Sequence, residues 1–235
     1  GAFMLDSYLS SQKVVLKRNP RYWKKDSAGN SLPYLDKIVY MVVQDQNAEL
    51  LQFKQGVVRY LNAKGEDYPS LKKDEARFGY TVFRLGPATG SNFLFFNQST
   101  GIDSRTKKPF VDPVRSAWFR NDNFRKAIAT ALDKDNMIKI AMNGLGYPQW
   151  SPMTPSEGYF FSGNVVEYPY DIVKAKKLLA DAGFADRDRD SVIEDAAGHP
   201  VEFTFITNSG NVVRNKIAEI IRKDLESIGC KVHFQ

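Results

Sequence analysis

A single cysteine, Cys230, stands among 235 residues, which excludes an internal disulfide and any zinc site built from several thiolates. Histidine is nearly as scarce, with only His199 and His233. Neither neighbours a nucleophile motif, and the GxSxG, HExxH, CxxC and phosphate-loop patterns are all absent, so no enzyme constellation is written in contiguous sequence. GLGYPQ lacks the third glycine and the preceding strand of a dinucleotide fingerprint. Long apolar runs are missing too. The longest uncharged stretches, 85–102 and 140–156, carry Gly, Pro, Asn, Gln and Ser throughout and read as strands and loops rather than membrane spans. GAFMLDSYL shows neither a basic leader nor an apolar core, so an export signal, if the protein has one, is expected outside this stretch. Blocks of one charge are also lacking: the 33 Lys and Arg are scattered among 27 Asp and Glu, and the formal charge of +6 offers no basic track for a phosphate backbone. A nucleic-acid partner is therefore not expected.

What remains is an ordinary globular composition, 43% hydrophobic and 26% charged, long enough for one large or two modest domains. In the first third, KVVLK (13–17) and KIVYMVV (37–43) are β-branched runs, the first ended by Asn19-Pro20. Asp45 caps a short helix over NAELLQFKQ that Gly56 stops, and VVRYL after it reads as a further strand. SNFLFFN (91–97) is apolar on both faces, as in a strand buried between layers. Downstream, Phe124, Ala127, Ile128, Ala131 and Leu132 recur at helical spacing behind Asn121 and Asp122. Asp133 caps a second helix, Asp171 a third that Gly183 stops, and VEFTFIT is followed by a long helix ending at Gly229 and a last strand, KVHFQ. Strand, helix, strand in succession predicts a right-handed βαβ unit and an α/β fold.

Two stretches pose chemical questions. VVLKRNPRYW sets Tyr22 and Trp23 among Lys17, Arg18 and Arg21, a pattern that suits a nucleic-acid surface, a ligand platform or rings roofing a core. DRDRDSVIED places Asp186, Asp188 and Asp190 at positions 1, 3 and 5 of an EF-hand-like loop and Glu194 at position 9, a set of hard oxygens suited to calcium. Against this, Ser191 replaces the glycine of the sharp turn and Ala197 stands where a bidentate glutamate closes the shell. An acidic, solvent-facing turn with no metal or other cofactor is the alternative.

In order and spacing, GAF with LKRNPRYW, YLDKIVYMVVQDQNAELLQFKQG, FFN before KKPFVD, NDNFRKAIATALDKDNMI with NGLGYP, DIVKAKKLLADAGF and DLESIGCKVHF resemble the peptide, dipeptide and nickel class of extracytoplasmic solute-binding proteins serving ABC importers (bacterial solute-binding protein family 5). The resemblance runs nearly end to end. It implies a two-lobed, periplasmic-binding-protein-like α/β architecture of type II, incomplete here because the chain resembles an internal fragment. Residues 1–90 would be part of the first lobe, strands plus one helix, and 91–235 part of the second, its C-terminal portion missing. It also implies Tyr22 and Trp23 as roofing over a core with solvated basic residues beside them. Two departures stand out: Arg59 where family members usually carry an acidic residue, and a long insertion, STGIDSRTKKPFVDPVRSAWFR.

The implied function is solute binding, of a peptide above all, in a cleft between lobes that closes by a hinge. Its partners would be a peptide or other small solute and ABC transporter permease subunits, the protein itself a monomer, periplasmic or extracytoplasmic and either free or tethered as a lipoprotein. No catalysis is implied. Clefts between domains are the usual small-ligand sites, so Asn92, Phe93 and Asn97 near the crossing between lobes, and Tyr147 and Trp150 in the GLGYPQW loop, are the candidate ligand contacts. For each the alternative is structural: core rings, a turn-capping amide, rings pinning a loop. The competing function is an α/β hydrolase or transferase whose site uses the acidic loop and leaves no sequence motif.

Overall fold

A computed structural model describes all 235 residues. The chain divides into two compact units, Gly1–Ala63 and Lys64–Gln235. Residues 64–90, grouped above with the first lobe, lie within the second of these units.

In the first unit β1 (Phe3–Leu9), β2 (Lys13–Arg18) and β3 (Lys37–Met41) form an antiparallel sheet in that order. A bulge between Leu5 and Ser7 shifts the register of β1. At the end of β2, the Asn19 amide donates to the Gly1 carbonyl at 2.8 Å and its oxygen accepts from the Arg21 N–H at 3.0 Å, which fixes the turn at Pro20. Helix α1 (Gln46–Lys54) begins where Asp45 accepts from the N–H groups of Asn47 and Ala48. Two expectations fail here. VVRYL after Gly56 is not a strand, because no neighbour offers it a ladder. Trp23 is 82% exposed and roofs nothing within the unit, since Val15 is the only buried side chain among residues 1–63.

The second unit holds the core. Gly65 presses on the end of a later helix so closely that a Cβ would lie 1.9 Å from the Met142 carbonyl oxygen. The buried Lys64 ammonium meets Glu66 at 3.1 Å and Asp67 at 3.4 Å. Burial pulls its pKa down, but the two carboxylates more than compensate and leave it raised. Helix α2 (Tyr68–Phe78) ends on left-handed Gly79. The next four helices each start on a side-chain cap: α3 (Pro113–Arg120) on Asp112, α4 (Asp122–Ala131) on Asn121, α5 (Lys134–Ala141) on Asp133, and α6 (Ile172–Asp181) on Asp171.

Strand β4 (Glu202–Phe205), helix α7 (Val212–Ser227) and strand β5 (Lys231–Phe234) form the anticipated βαβ unit, with β4 and β5 parallel from Glu202 opposite Lys231 to Phe205 opposite Phe234. Gly229 is required in the α7–β5 turn: its φ is +89° and a Cβ would fall 2.7 Å from Ile193 Cγ2. Around this unit α3, α4, α6 and α7 bury one aromatic-rich cluster. Phe124, fully buried, lies among Phe96, Phe119 and Phe184, with ring centroids 5.3 to 6.3 Å apart. Truncating such a ring to alanine costs about 3–5 kcal/mol.

Candidate functional site

In α/β sheets ligands bind outside the carboxyl ends of the strands, where loops leave the sheet for helix N-termini. Here that place is residues 206–211, between β4 and α7. The ladder continues to its edge, with Thr207 N–H donating to the Gln235 carbonyl and Gln235 N–H to the Phe205 carbonyl, each at 3.0 Å. Asn211 caps α7 by accepting from the Arg214 N–H at 2.9 Å. One turn into the helix, the Arg214 guanidinium donates from Nη1 to Asn208 Oδ1 at 3.0 Å and from Nε to Asn92 Oδ1 at 3.2 Å. Asn215 donates to the Ser209 carbonyl at 2.8 Å. A groove of about 550 Å³ opens beside this cluster, lined by Thr207, Ser209, Asn215, Lys216, Glu219, Ile220, Lys223, Phe234 and Gln235, with Ile140 of α5. Charges of both signs and apolar walls make it suited to a zwitterionic or amphipathic molecule.

Of the ligand contacts proposed from sequence, Asn92 joins this cluster. Phe93 is 77% exposed, with its ring 6.0 Å from that of Phe95, so neither belongs to the core; Phe96 does, packed on Phe119 at 4.8 Å. Asn97 accepts from the Ser99 N–H at 3.0 Å and so caps a turn. Tyr147 is exposed. Trp150 is held in place by Lys134, whose Nζ lies 4.0 Å over the ring, and burial lowers the pKa of that ammonium. No hydrogen bond or ring contact joins Tyr147 or Trp150 to Asn92, Phe93 or Asn97. Arg214 and Asn208 were missed. Their signal was the polar run TNSGN between strand and helix, but which amides would be gripped depends on a partner 122 residues away.

In the acidic loop, ligand oxygens of Asp186, Asp188, Asp190 and Glu194 all lie within 4.8 Å of one another. The objection raised by Ser191 does not hold, since this serine takes the left-handed conformation at φ +76° that a glycine would supply. The loop nevertheless uses its carboxylates on itself. Asp186 accepts from the Arg189 and Ser191 N–H groups, Asp188 from Asp190, Asp190 from Val192, and Glu194 from Arg187. Ala197 brings no oxygen from its side chain. Arg187 adds the cation, donating to the carbonyls of Gly183, Ala185, Glu194 and Asp195.

Beside the loop, Asp195 accepts from the Ala197 and His199 N–H groups, the His199 ring and the Trp118 indole. Burial raises its pKa, but these hydrogen bonds outweigh burial and hold the carboxyl down at about 2. With its carboxylate spent on a turn and an indole, and no nucleophile bonded to His199, this pair lacks the arrangement of a catalytic dyad.

Along its whole length, residues 1–235, the sequence matches the pattern of bacterial extracellular solute-binding proteins, family 5, middle part, and the chain belongs to that family. A probable ABC transporter-binding protein of Deinococcus radiodurans is 33% identical over 99% of this chain and 39% of its own length. The oligopeptide-binding protein AppA of Bacillus subtilis, solved with a nonapeptide, superposes with a TM-score of 0.72 at 25% identity, over all of this chain and 42% of that one. NikZ of Campylobacter jejuni, solved with Ni(L-His), shares the fold with a TM-score of 0.78 at 19% identity, again over 42% of its chain. The chain thus spans about two fifths of the length of these relatives. No helix is long and apolar enough to cross a membrane.

Proposed function

We propose that the chain is part of the solute-binding component of an ABC import system and that the whole protein takes up a peptide between two lobes that close as a hinge. Residues 1–63 are assigned to one lobe and 91–235 to the other, while 64–90, grouped with the first lobe from the sequence, pack in the second compact unit. The reading rests on family membership together with one observation: Arg214 grips Asn92 and Asn208 at the carboxyl ends of β4 and β5, building a polar crevice where an α/β unit receives ligands. A peptide is favoured over other solutes by the likeness to AppA with its nonapeptide and by the mixed charge of the adjoining groove.

The protein would work outside the cytoplasm, in a periplasm or tethered as a lipoprotein, as a monomer that presents its load to permease subunits. Asn92 and Phe93 would contact the peptide, with Tyr147 and Trp150 at the mouth of the cleft and Asn97 shaping the turn beneath it. The loop at 186–195 is assigned as a self-capped acidic turn that needs no calcium.

The test is calorimetry on the full-length protein against defined peptides of two to nine residues. Saturable binding at micromolar concentration or tighter supports the reading. Binding confined to sugars or metal complexes would replace the solute class. Turnover of a peptide or ester that disappears on joint replacement of Asp186, Asp188 and Asp190 by Asn would replace it with an enzyme.

A further inference from the structure

Lys134 is a lysine in an awkward place. It is the first residue of α5, where the positive end of the helix dipole disfavours a cation. It is half-buried, and no carboxylate lies within salt-bridge distance of its ammonium; the charge of Asp135, next in the chain, offsets the burial only in part. Two other groups take a carboxylate's place. The Ala129 carbonyl, 3.5 Å from Nζ, belongs to the last turn of α4, whose orphan carbonyls form the negative end of that helix. The Trp150 indole offers its electron-rich face at 4.0 Å.

Bringing that ring to Lys134 takes a whole loop. Helix α5 is about 12 Å long at the usual rise per residue, and residues 143–150 return from its carboxyl end to its first residue. The reversal starts at Asn143 and Gly144, both left-handed with φ of +51° and +74°, and the loop presses on the helix end at Gly146, where a Cβ would lie 2.9 Å from Met142 Sδ. At the far end the indole N–H is unspent. Where Trp118 donates to Asp195, Trp150 donates to no group of the chain, and its nitrogen is not sealed from the surface. An indole nitrogen can only donate. The ring is thus held by one face while its single polar group stays free, the arrangement of a donor set in advance for an acceptor.

We propose that Lys134 is a positioning and specificity residue of the peptide site. Its ammonium sets the Trp150 ring so that the indole N–H meets a carbonyl of the ligand, and it bars a cationic side chain from that ring. The exclusion has two causes. One cation already occupies the face of the ring, and a second brought to the same indole meets the first as a like charge in a place half withdrawn from water. Without such a neighbour the ring would do the opposite, since indoles attract lysine and arginine side chains. The specificity rests on Trp150 lining the mouth of a peptide cleft; the hold of Lys134 on the ring does not.

Two measurements on the full-length protein test it. With 5-fluorotryptophan incorporated, the Trp150 fluorine resonance is the one lost in Trp150→Phe. Lys134→Met should move that resonance well beyond its linewidth, Lys134→Arg, whose guanidinium also stacks on aromatic faces, should return it towards the parent position, and the other tryptophan signals should stay. An unmoved Trp150 signal in Lys134→Met overturns the hold on the ring. Calorimetry then compares peptides that differ only by leucine or lysine at one position, taken at each position in turn. At one position at least, the parent and Lys134→Arg should prefer leucine by about tenfold, and Lys134→Met should bring that preference below about threefold. No preference in the parent, or the same preference in Lys134→Met, overturns the specificity. If no peptide binds the parent, the reading of the site falls and the specificity with it, while the fluorine signal still decides whether Lys134 holds the ring. Where Lys134→Met loses its cooperative melt, Lys134→Gln takes its place.

Discussion

The Trp118 indole N–H donates to Asp195 Oδ2 at 2.9 Å, joining α3 to a turn 77 residues further along. Both groups are largely withdrawn from water, so Trp118→Phe leaves a carboxylate short of one donor. Losing a hydrogen bond to a charged group costs about 1.5–3 kcal/mol, and the variant should lose roughly that in chemical denaturation. A change below about 0.5 kcal/mol would mean that water replaces the indole.

The same carboxylate sets a pH dependence. Held at about 2, it lies below the ordinary aspartate value, so its contribution to stability is complete above about pH 4 and lost as pH falls towards 2. Asp195→Asn should therefore be less stable than the parent at pH 7, with the gap narrowing between pH 4 and 2. Parallel curves across that range would show that the carboxyl is not depressed.

Arg214 tests the proposed site. Arg214→Met keeps much of the side-chain bulk but frees Asn92 and Asn208, and in the full-length protein peptide affinity should fall about tenfold or more, with the melting temperature within about 2 °C. Lys177→Met, on the exposed face of α6, should leave affinity as it was. Equal affinity for both variants would move the ligand elsewhere.

The acidic loop supports a prediction with two arms. Ser191 is left-handed at φ +76°, which costs a residue with a Cβ about 1–2 kcal/mol, so Ser191→Gly should raise stability by up to that amount. Millimolar calcium should not shift the melting temperature of either protein. A rise of several degrees with calcium, removed by Asp190→Asn, would establish an ion site instead.

Burial pushes the Cys230 thiol up to about 12, far from the thiolate that reacts. Thiol reagents at pH 8 should therefore label it only as fast as the core opens, and in full in denaturant. Rapid labelling of the native protein would contradict the burial.

Most of the helices were plainly legible in the sequence because they declare themselves locally, whereas α2, ended by Gly79, went unread. Asn121, Asp133 and Asp171 cap where expected, and the apolar residues behind them repeat at helical spacing. Strands depend on partners, and there the reading erred. Nothing in VVRYL reveals that no ladder awaits it, β1 escapes notice because its bulge breaks the alternation, and SNFLFFN reads as a strand yet takes part in no ladder. Helix α3 begins at Pro113 inside what reads as a long insertion, its cap and proline masked by the charged residues around them. The site was legible only in part. Asn92 could be named, but the guanidinium that holds it lies in a helix whose pattern speaks only of its buried face.

The core runs from Val111 to Val232 and includes both β4 and β5. On the ribosome, then, the parts of this cluster emerge first and wait longest: Phe119 and Phe124 leave the exit tunnel while the strand and helix that enclose them are still being made. The opening 63 residues, with Val15 alone buried, cannot shelter them in the interval. Nascent chains of this sequence should accordingly engage holding chaperones up to the synthesis of β5, and arrest of translation before Lys231 should leave them aggregation-prone.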